Sequence, residues 1–333
     1  MKKRAIGRSG LMAGVVSMGT WAIGGGERWG DSDERASIAT VHRAFELGVN
    51  LFDTAPGYGA DGYSETVLGR AIGDLPRDRV LIETKCGIWW QDDEGSYLNT
   101  RDGRNIYINL SRRAVIRSLE DSLRRLGTDY VDVLTIHYPA RPPFDTPPEE
   151  TMEALGRLRA QGKIRAVGVS NVDAGQLAGY LQWGDVDLVQ QKFSMLDRAA
   201  YHELAGLCAA RGIAFQAYSP IEQGLLTDGL SAGYIPPAGN ARAGKPWWNM
   251  ERRQDILAFL SKLKVLAQAY GCSVANLVVA WTIQYAHSMN ALCGARRVPQ
   301  IEELVRGAAV PLSQQAFRLM TEAADDLIGR YAG

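Results

Sequence analysis

Short β-branched runs recur eight times along this chain, each followed by a longer stretch of helical period, and that alternation leaves few folds open. The runs lie at 15–21, 51–55, 80–86, 131–137, 164–170, 188–193, 213–219 and 290–294. Helical stretches fill 33–48, 64–72, 111–126, 148–161, 174–182, 200–211, 252–270 and 273–285. Asp33 and Ser111 stand where N-caps are wanted, and Gly48, Gly127, Gly162 and Gly212 where a helix stops before the next strand. Eight such units fit an α/β fold of the (β/α)8 TIM-barrel type, with its active site at the C-terminal ends of the strands. A doubly wound sheet shows fewer strands and a glycine fingerprint directly after the first one. Gly24-Gly25-Gly26 lacks that spacing and opens no helix, so it reads as a flexible loop.

The 333 residues, 46% hydrophobic, can bury one barrel-sized core or two ordinary ones. No linker or compositional break divides them, so a single domain over 1–333 is expected. The 37 basic and 37 acidic side chains balance, leaving no overall field to gather nucleic acid or an anionic membrane surface. A local basic site for one small anion stays open. Cys86, Cys208, Cys272 and Cys293 are far apart and form no Cys-x-x-Cys pair, which favours a reducing compartment, the cytoplasm. Lys2, Lys3 and Arg4 ahead of an apolar stretch imitate a signal peptide. Five glycines and strand-like alternation there read instead as a strand entering a loop, and no run is long enough to span a membrane. Two connections, 88–110 with Trp89 and Trp90, and 222–250 with Trp247 and Trp248, are long enough to be functional.

Asp53, Tyr58, Lys85 and His137 fall at or just beyond the ends of strands two, three and four. Singly each has a bland account: a turn cap, a loop aromatic, a structural ion pair, a satisfied histidine. Together, four complementary types at adjacent strand ends point to general acid chemistry on a carbonyl. An ammonium at Lys85 is expected to lower the Tyr58 phenol from its usual value near 10, with Asp53 holding the lysine. His137 would orient the carbonyl oxygen. Trp21, Trp89, Trp90 and Tyr138 follow strands one, three and four and are expected to line the substrate pocket.

The segments around these residues resemble the aldo-keto reductase family, in its bacterial general-reductase-like branch. Residues 49–55 with Tyr58-Gly59, Glu83-Thr84-Lys85 and Ile136-His137-Tyr138-Pro139 look like three signatures of that family. The segments 7–11, 19–21, 162–165, 168–171, 218–220 and 294–296 continue the resemblance in order over the whole chain. It implies that Tyr58 donates a proton, that Lys85 and Asp53 tune it, and that His137 orients a small carbonyl substrate. It further implies NADPH as cofactor. Ser170, Asn171 and Gln190 would hold the nicotinamide carboxamide and Tyr218 would stack on the ring, although Ser170-Asn171 alone reads as a helix cap. Gly19, Thr20, Trp21 and Asp53 would border the same cofactor. Ser219, Pro220, Ile221, Gly224 and Leu225 after strand seven, and Gly294, Ala295 and Arg296 after strand eight, would serve its phosphates. Arg296, with Arg297 beside it, would grip a 2′-phosphate, and Gln300 would face the adenosine. Leu304 stands where the family usually has an adenine-contacting asparagine, which would weaken cofactor binding.

Other readings share this machinery. An NADP-dependent sugar or polyol dehydrogenase runs the reaction backwards, and a channel-subunit-like protein binds NADPH as a regulator. Entry into the barrel almost at once counts against the regulator. His42, His137, His202 and His287 share no ligand-like spacing, so no metal is expected. Oligomeric state is left open.

Overall fold

Each β-branched run becomes a strand because its neighbours on both sides offer parallel partners and its outer face a helix to pack against. In the computed structural model, which describes residues 1–101 and 103–331, the strands are β1 (Val16–Gly19), β2 (Leu51–Asp53), β3 (Leu81–Cys86), β4 (Val131–Ile136), β5 (Ile164–Ser170), β6 (Leu188–Lys192), β7 (Ala214–Tyr218) and β8 (Met289–Gly294). They close in that order into a parallel barrel, β8 returning to β1 with Ala291 opposite Val16 and Gly294 opposite Gly19. Of the domain expected at 1–333, residues 102, 332 and 333 lie outside the described residues.

Besides a one-turn helix at Gly26–Trp29, which the glycine run does open against expectation, the α-helices are α1 (Glu34–Glu46), α2 (Tyr63–Ile72), α3 (Arg112–Leu126), α4 (Pro148–Ala160), α5 (Ala174–Leu181), α6 (Ala199–Arg211), α7 (Arg253–Ala269), α8 (Val274–Tyr285), α9 (Val298–Arg306) and α10 (Gln314–Gly329). Asp33 accepts from the Ala36 amide at 3.1 Å and Ser111 from the Ala114 amide at 3.3 Å, satisfying donors at the first turns of α1 and α3. Gly127 ends α3 at φ +65°, a conformation that strains an L side chain, and so turns the chain back toward β4. Among the described residues no single helix is long and apolar enough to cross a membrane.

The barrel interior changes character along its axis. At the N-terminal end, Leu51, Leu81, Val133, Ala166, Leu188 and Ala214 form an apolar ring. A hairpin of Lys3–Ala5 and Met12–Gly14, which the sequence pattern did not announce, lays Ile6 and Leu11 against that ring. Above it the interior turns polar, with Ser17, Glu83, Thr135, Gln190, Gln216 and Asn290 buried. The connection 88–110 is a three-stranded antiparallel sheet of Ile88–Trp89, Arg104–Ile108 and Ser96–Arg101. The connection 222–250 is built of turns and tied down by Trp247 Nε1 donating to Leu196 O and Trp248 Nε1 to Glu222 O. Those two indoles pin the loop.

Candidate active site

β2 ends at Asp53, and the loop beyond it brings Tyr58 back over the barrel mouth. Gly24 presses on that loop: a Cβ there would lie 2.6 Å from the Tyr58 carbonyl carbon, and one on Gly59 would lie 2.5 Å from Gly24 O. The glycine run expected to be a flexible loop thus includes a buried backbone contact that sets the position of Tyr58. Thr20 Oγ1 donates to Asp53 O at 2.8 Å and exchanges a 2.6 Å hydrogen bond with Ser64, locking the end of β2 to β1 and α2.

Lys85 Nζ is the hub. It donates to Asp53 Oδ2, to Thr54 O at 2.9 Å and to Tyr58 Oη at 3.0 Å, and it is fully buried. His137 stands beside Tyr58 with ring centroids 5.8 Å apart and stacks on Tyr138 at 4.9 Å. Burial pulls the Lys85 ammonium down, but Asp53, Tyr58 and Glu83 outweigh it and the net direction is up, so it stays charged. Burial pushes the Asp53 carboxyl up against the opposing pull of Lys85 and Gln190. For Tyr58 burial is again the larger influence, and the phenol moves up despite Lys85. The sequence-based expectation of a lowered phenol is thereby reversed. The Tyr58 hydroxyl keeps its proton at neutral pH. Burial, then Lys85 and Arg101, hold His137 well below its usual range, so it presents a neutral imidazole.

Tyr58, His137 and Asp53 open onto a cavity of about 350 Å3. Gly19, Trp21, Ser170, Asn171, Gln190, Tyr218, Ser219, Pro220, Ile221, Gly224, Gly294, Ala295, Arg296 and Gln300 line it, as does Tyr138. Asn171 is fixed by Tyr218 Oη donating to its Oδ1 at 2.8 Å and by its own Nδ2 donating to His137 O at 2.8 Å. Asn171, Ser219, Glu222 and Gln223 all hold positive φ, and such strained non-glycine backbone gathers at functional sites.

Several expected residues stand elsewhere. Thr20 and Leu225 are fully buried behind the cavity wall, the first as a strand tie and the second in the core. Leu304 is also core. Trp89 and Trp90 do not line the cavity: Ile88 does, and Trp89, next to it on the same strand, turns to the opposite side. Trp89 instead donates to Asp92 at 2.6 Å, and both indoles border a small side recess. Conversely, Trp29, Arg101, Gln223, Arg242 and Lys245 line the cavity and were not singled out from sequence. The segment Ala241-Arg242-Ala243-Gly244-Lys245 carried a signal, two cations spaced by small residues in a long loop. Arg242 places its guanidinium 5.1 Å from the Trp29 ring. Among the described residues no three His, Cys, Asp or Glu side chains gather as a metal site requires.

The model of the aldo/keto reductase family matches residues 15–325. The chain is 42% identical to the NADH-specific methylglyoxal reductase of Escherichia coli (strain K12), over 98% of this chain and 99% of that protein. It is 32% identical to the aldo-keto reductase YhdN of Bacillus subtilis (strain 168), over 91% and 88%. The glycerol dehydrogenase AKR11B4 from Gluconobacter oxydans superimposes with a TM-score of 0.85 at 28% identity, over 99% of this chain and 95% of that one. With the match running from the first barrel strand into the last helix, and relatives aligned over nearly their full lengths, this chain belongs to the aldo/keto reductase family.

Proposed function

We propose that this protein reduces a small aldehyde or ketone to the alcohol with NADPH, Tyr58 donating the proton. The observation that carries the reading is Lys85 Nζ held 3.0 Å from the Tyr58 hydroxyl beside a neutral His137, at a cavity that Arg101, Arg242, Lys245 and Arg296 also line. A nicotinamide dinucleotide, when bound, supplies the hydride for the carbonyl carbon. The chain's residues fit such a group. Gln223 lines the cavity with both side-chain polar atoms buried and unpartnered. Arg242, Lys245 and Arg296 line it too, and Asp53 is the single carboxylate among its described lining residues. Burial, then Arg297 and Arg242, lower Arg296, a crowding of guanidiniums that an anion relieves.

In this reading Ser170, Asn171 and Gln190 hold the carboxamide, Tyr218 supports the ring, Gln223, Arg242 and Lys245 meet the pyrophosphate, and Arg296, Arg297 and Gln300 meet the adenosine end. His137 donates a hydrogen bond to the carbonyl oxygen, fixing it for the Tyr58 proton. Lys85 then stabilises the phenolate left behind. Trp21 and Tyr138 shape a pocket for a small substrate, and the oxidative direction uses the same groups in reverse. Four free cysteines support a cytoplasmic setting.

A second reading, NADH as cofactor, has its own support. Arg296 Nη1 already donates to Trp29 O at 2.8 Å and to Asp31 O at 3.2 Å, and the Escherichia coli relative is NADH-specific. The test is kcat/KM with each cofactor on methylglyoxal and a panel of aldehydes, ketones and keto-sugars. The proposal expects NADPH to lead by about tenfold or more, with most of that ratio lost in Arg296→Ala and Arg297→Ala, since a charge-assisted pair contributes about 1.5–3 kcal/mol. A lead for NADH, unmoved by either change, transfers the conclusion to the second reading.

A further inference from the structure

The barrel interior holds a second carboxylate that the reaction above leaves unassigned. Glu83 precedes Lys85 by two residues on β3, so strand periodicity turns both side chains inward, and Glu83 is fully buried. Its Oε1 accepts from Thr135 Oγ1 at 2.8 Å and from Gln190 Nε2 at 2.9 Å, while its Oε2 has no protein partner. Gln190 Nε2 also lies 3.0 Å from Asp53 Oδ2 and 2.6 Å from Gln216 Oε1. One amide nitrogen therefore joins Glu83 to the carboxylate that holds Lys85. Gly168 makes room for this layer, because a Cβ there would lie 2.3 Å from Thr135 Oγ1. Aliphatic side chains ordinarily fill such a layer.

We propose that Glu83 is a positioning residue for proton donation: acting through Gln190 and Lys85, its charge state sets how readily Tyr58 releases its proton. This rests on Tyr58 being the acid. When the Tyr58 O–H bond breaks and the product O–H bond forms, Lys85 must stabilise the phenolate in a buried site. With Glu83 neutral, Asp53 and Lys85 balance and the phenolate adds one negative charge. With Glu83 ionised, a second carboxylate competes for the same ammonium. Donation slows as Glu83 ionises. The charged groups facing Glu83 are Asp53 from β2 and Lys85 from its own strand, while β4, β6 and β7 turn the neutral Thr135, Gln190 and Gln216 toward it. Burial, then Asp53, push the Glu83 carboxyl up to about 7 against Lys85, so the change falls within a working pH range.

The test compares wild type with Glu83→Gln, which mimics the neutral acid. Infrared spectra of the protein without substrate should show a buried carboxyl band in wild type that fades as pH rises through about 7, and Glu83→Gln should lack it. Single-turnover reduction should fall by about three- to tenfold from pH 6 to pH 8.5 in wild type, as a change of about one pKa unit in the acidity of Tyr58 gives under Brønsted behaviour, and less than about twofold in the variant. Thr135→Val removes a donor to the ionised form, moving both the band and the rate limb to higher pH, and serves if Glu83→Gln does not fold. A wild type without the titrating band, or parallel rate profiles in wild type and variants, overturns the role of Glu83. Absence of turnover in wild type with every carbonyl and alcohol instead sinks the reductase reading, and this proposal with it.

Discussion

At Tyr58 two influences on one proton oppose each other. Burial favours the phenol, Lys85 at 3.0 Å favours the phenolate, and burial is the larger. The resting protein therefore keeps this proton, and under the proposed mechanism Lys85 acts most strongly once the proton has left. Tyr58→Phe removes the proton while leaving Lys85 bound to Asp53 and Thr54 O. Its kcat/KM for carbonyl reduction should fall by about 10²–10⁴-fold. Cofactor affinity, read by fluorescence titration, should stay within about twofold. Turnover near wild type would remove Tyr58 from the role of acid. The four residues of this cluster were legible in the sequence because their types are complementary and the strand ends bring them together. The sign of the shift at Tyr58 was not, because desolvation depends on what surrounds the hydroxyl. Glu83 was hidden for a similar reason. It stood in a recognised segment, but a polar layer inside a barrel appears only when Thr135, Gln190 and Gln216 are seen to converge on it.

At the scale of elements, the cavity is roofed by two loops that meet. The one-turn helix Gly26–Trp29 lies in the loop after β1, and the Ala241 amide in the loop after β7 donates to Arg28 O at 2.9 Å. Arg242 covers the Trp29 ring, Trp29 meets Trp21 edge-on at 5.3 Å, and Arg296 holds Trp29 O. Trp29 is thus the piece on which three connections converge. Trp29→Ala should speed release of the bound nicotinamide nucleotide by about 2–30-fold, the range expected when a cation–π contact of about 0.5–2 kcal/mol is lost. Stopped-flow displacement measures it; an unchanged release rate would mean the loops open without passing through this contact. The helices from α1 to α8 were legible to within a residue or two because period and caps agree, as at Asp33 and Ser111, whereas α9 and α10 beyond the last strand were not anticipated. The loops were not, since their partners are distant in sequence and Arg242 declares itself only by proximity to Trp29.

Across the whole molecule the barrel separates two tasks along its axis. Chemistry occupies the C-terminal mouth, while the N-terminal mouth is sealed by Ile6 and Leu11 against the ring of Leu51, Leu81 and their neighbours. The eightfold alternation made the barrel legible, but the three-residue strands of the sealing hairpin were too short to carry a period of their own. Leu11, 3% exposed, lies at the far end from Tyr58, so stability and catalysis should respond separately to its loss. Leu11→Ala should cost about 2–5 kcal/mol and lower Tm by roughly 3–7 °C, with kcat/KM unchanged within about twofold at 25 °C. Thermal unfolding beside steady-state kinetics checks both. A matching loss of activity in protein that is still folded would show that the bottom ring transmits its packing through the polar layer to Lys85, and the two ends would then have to be treated as one mechanical unit.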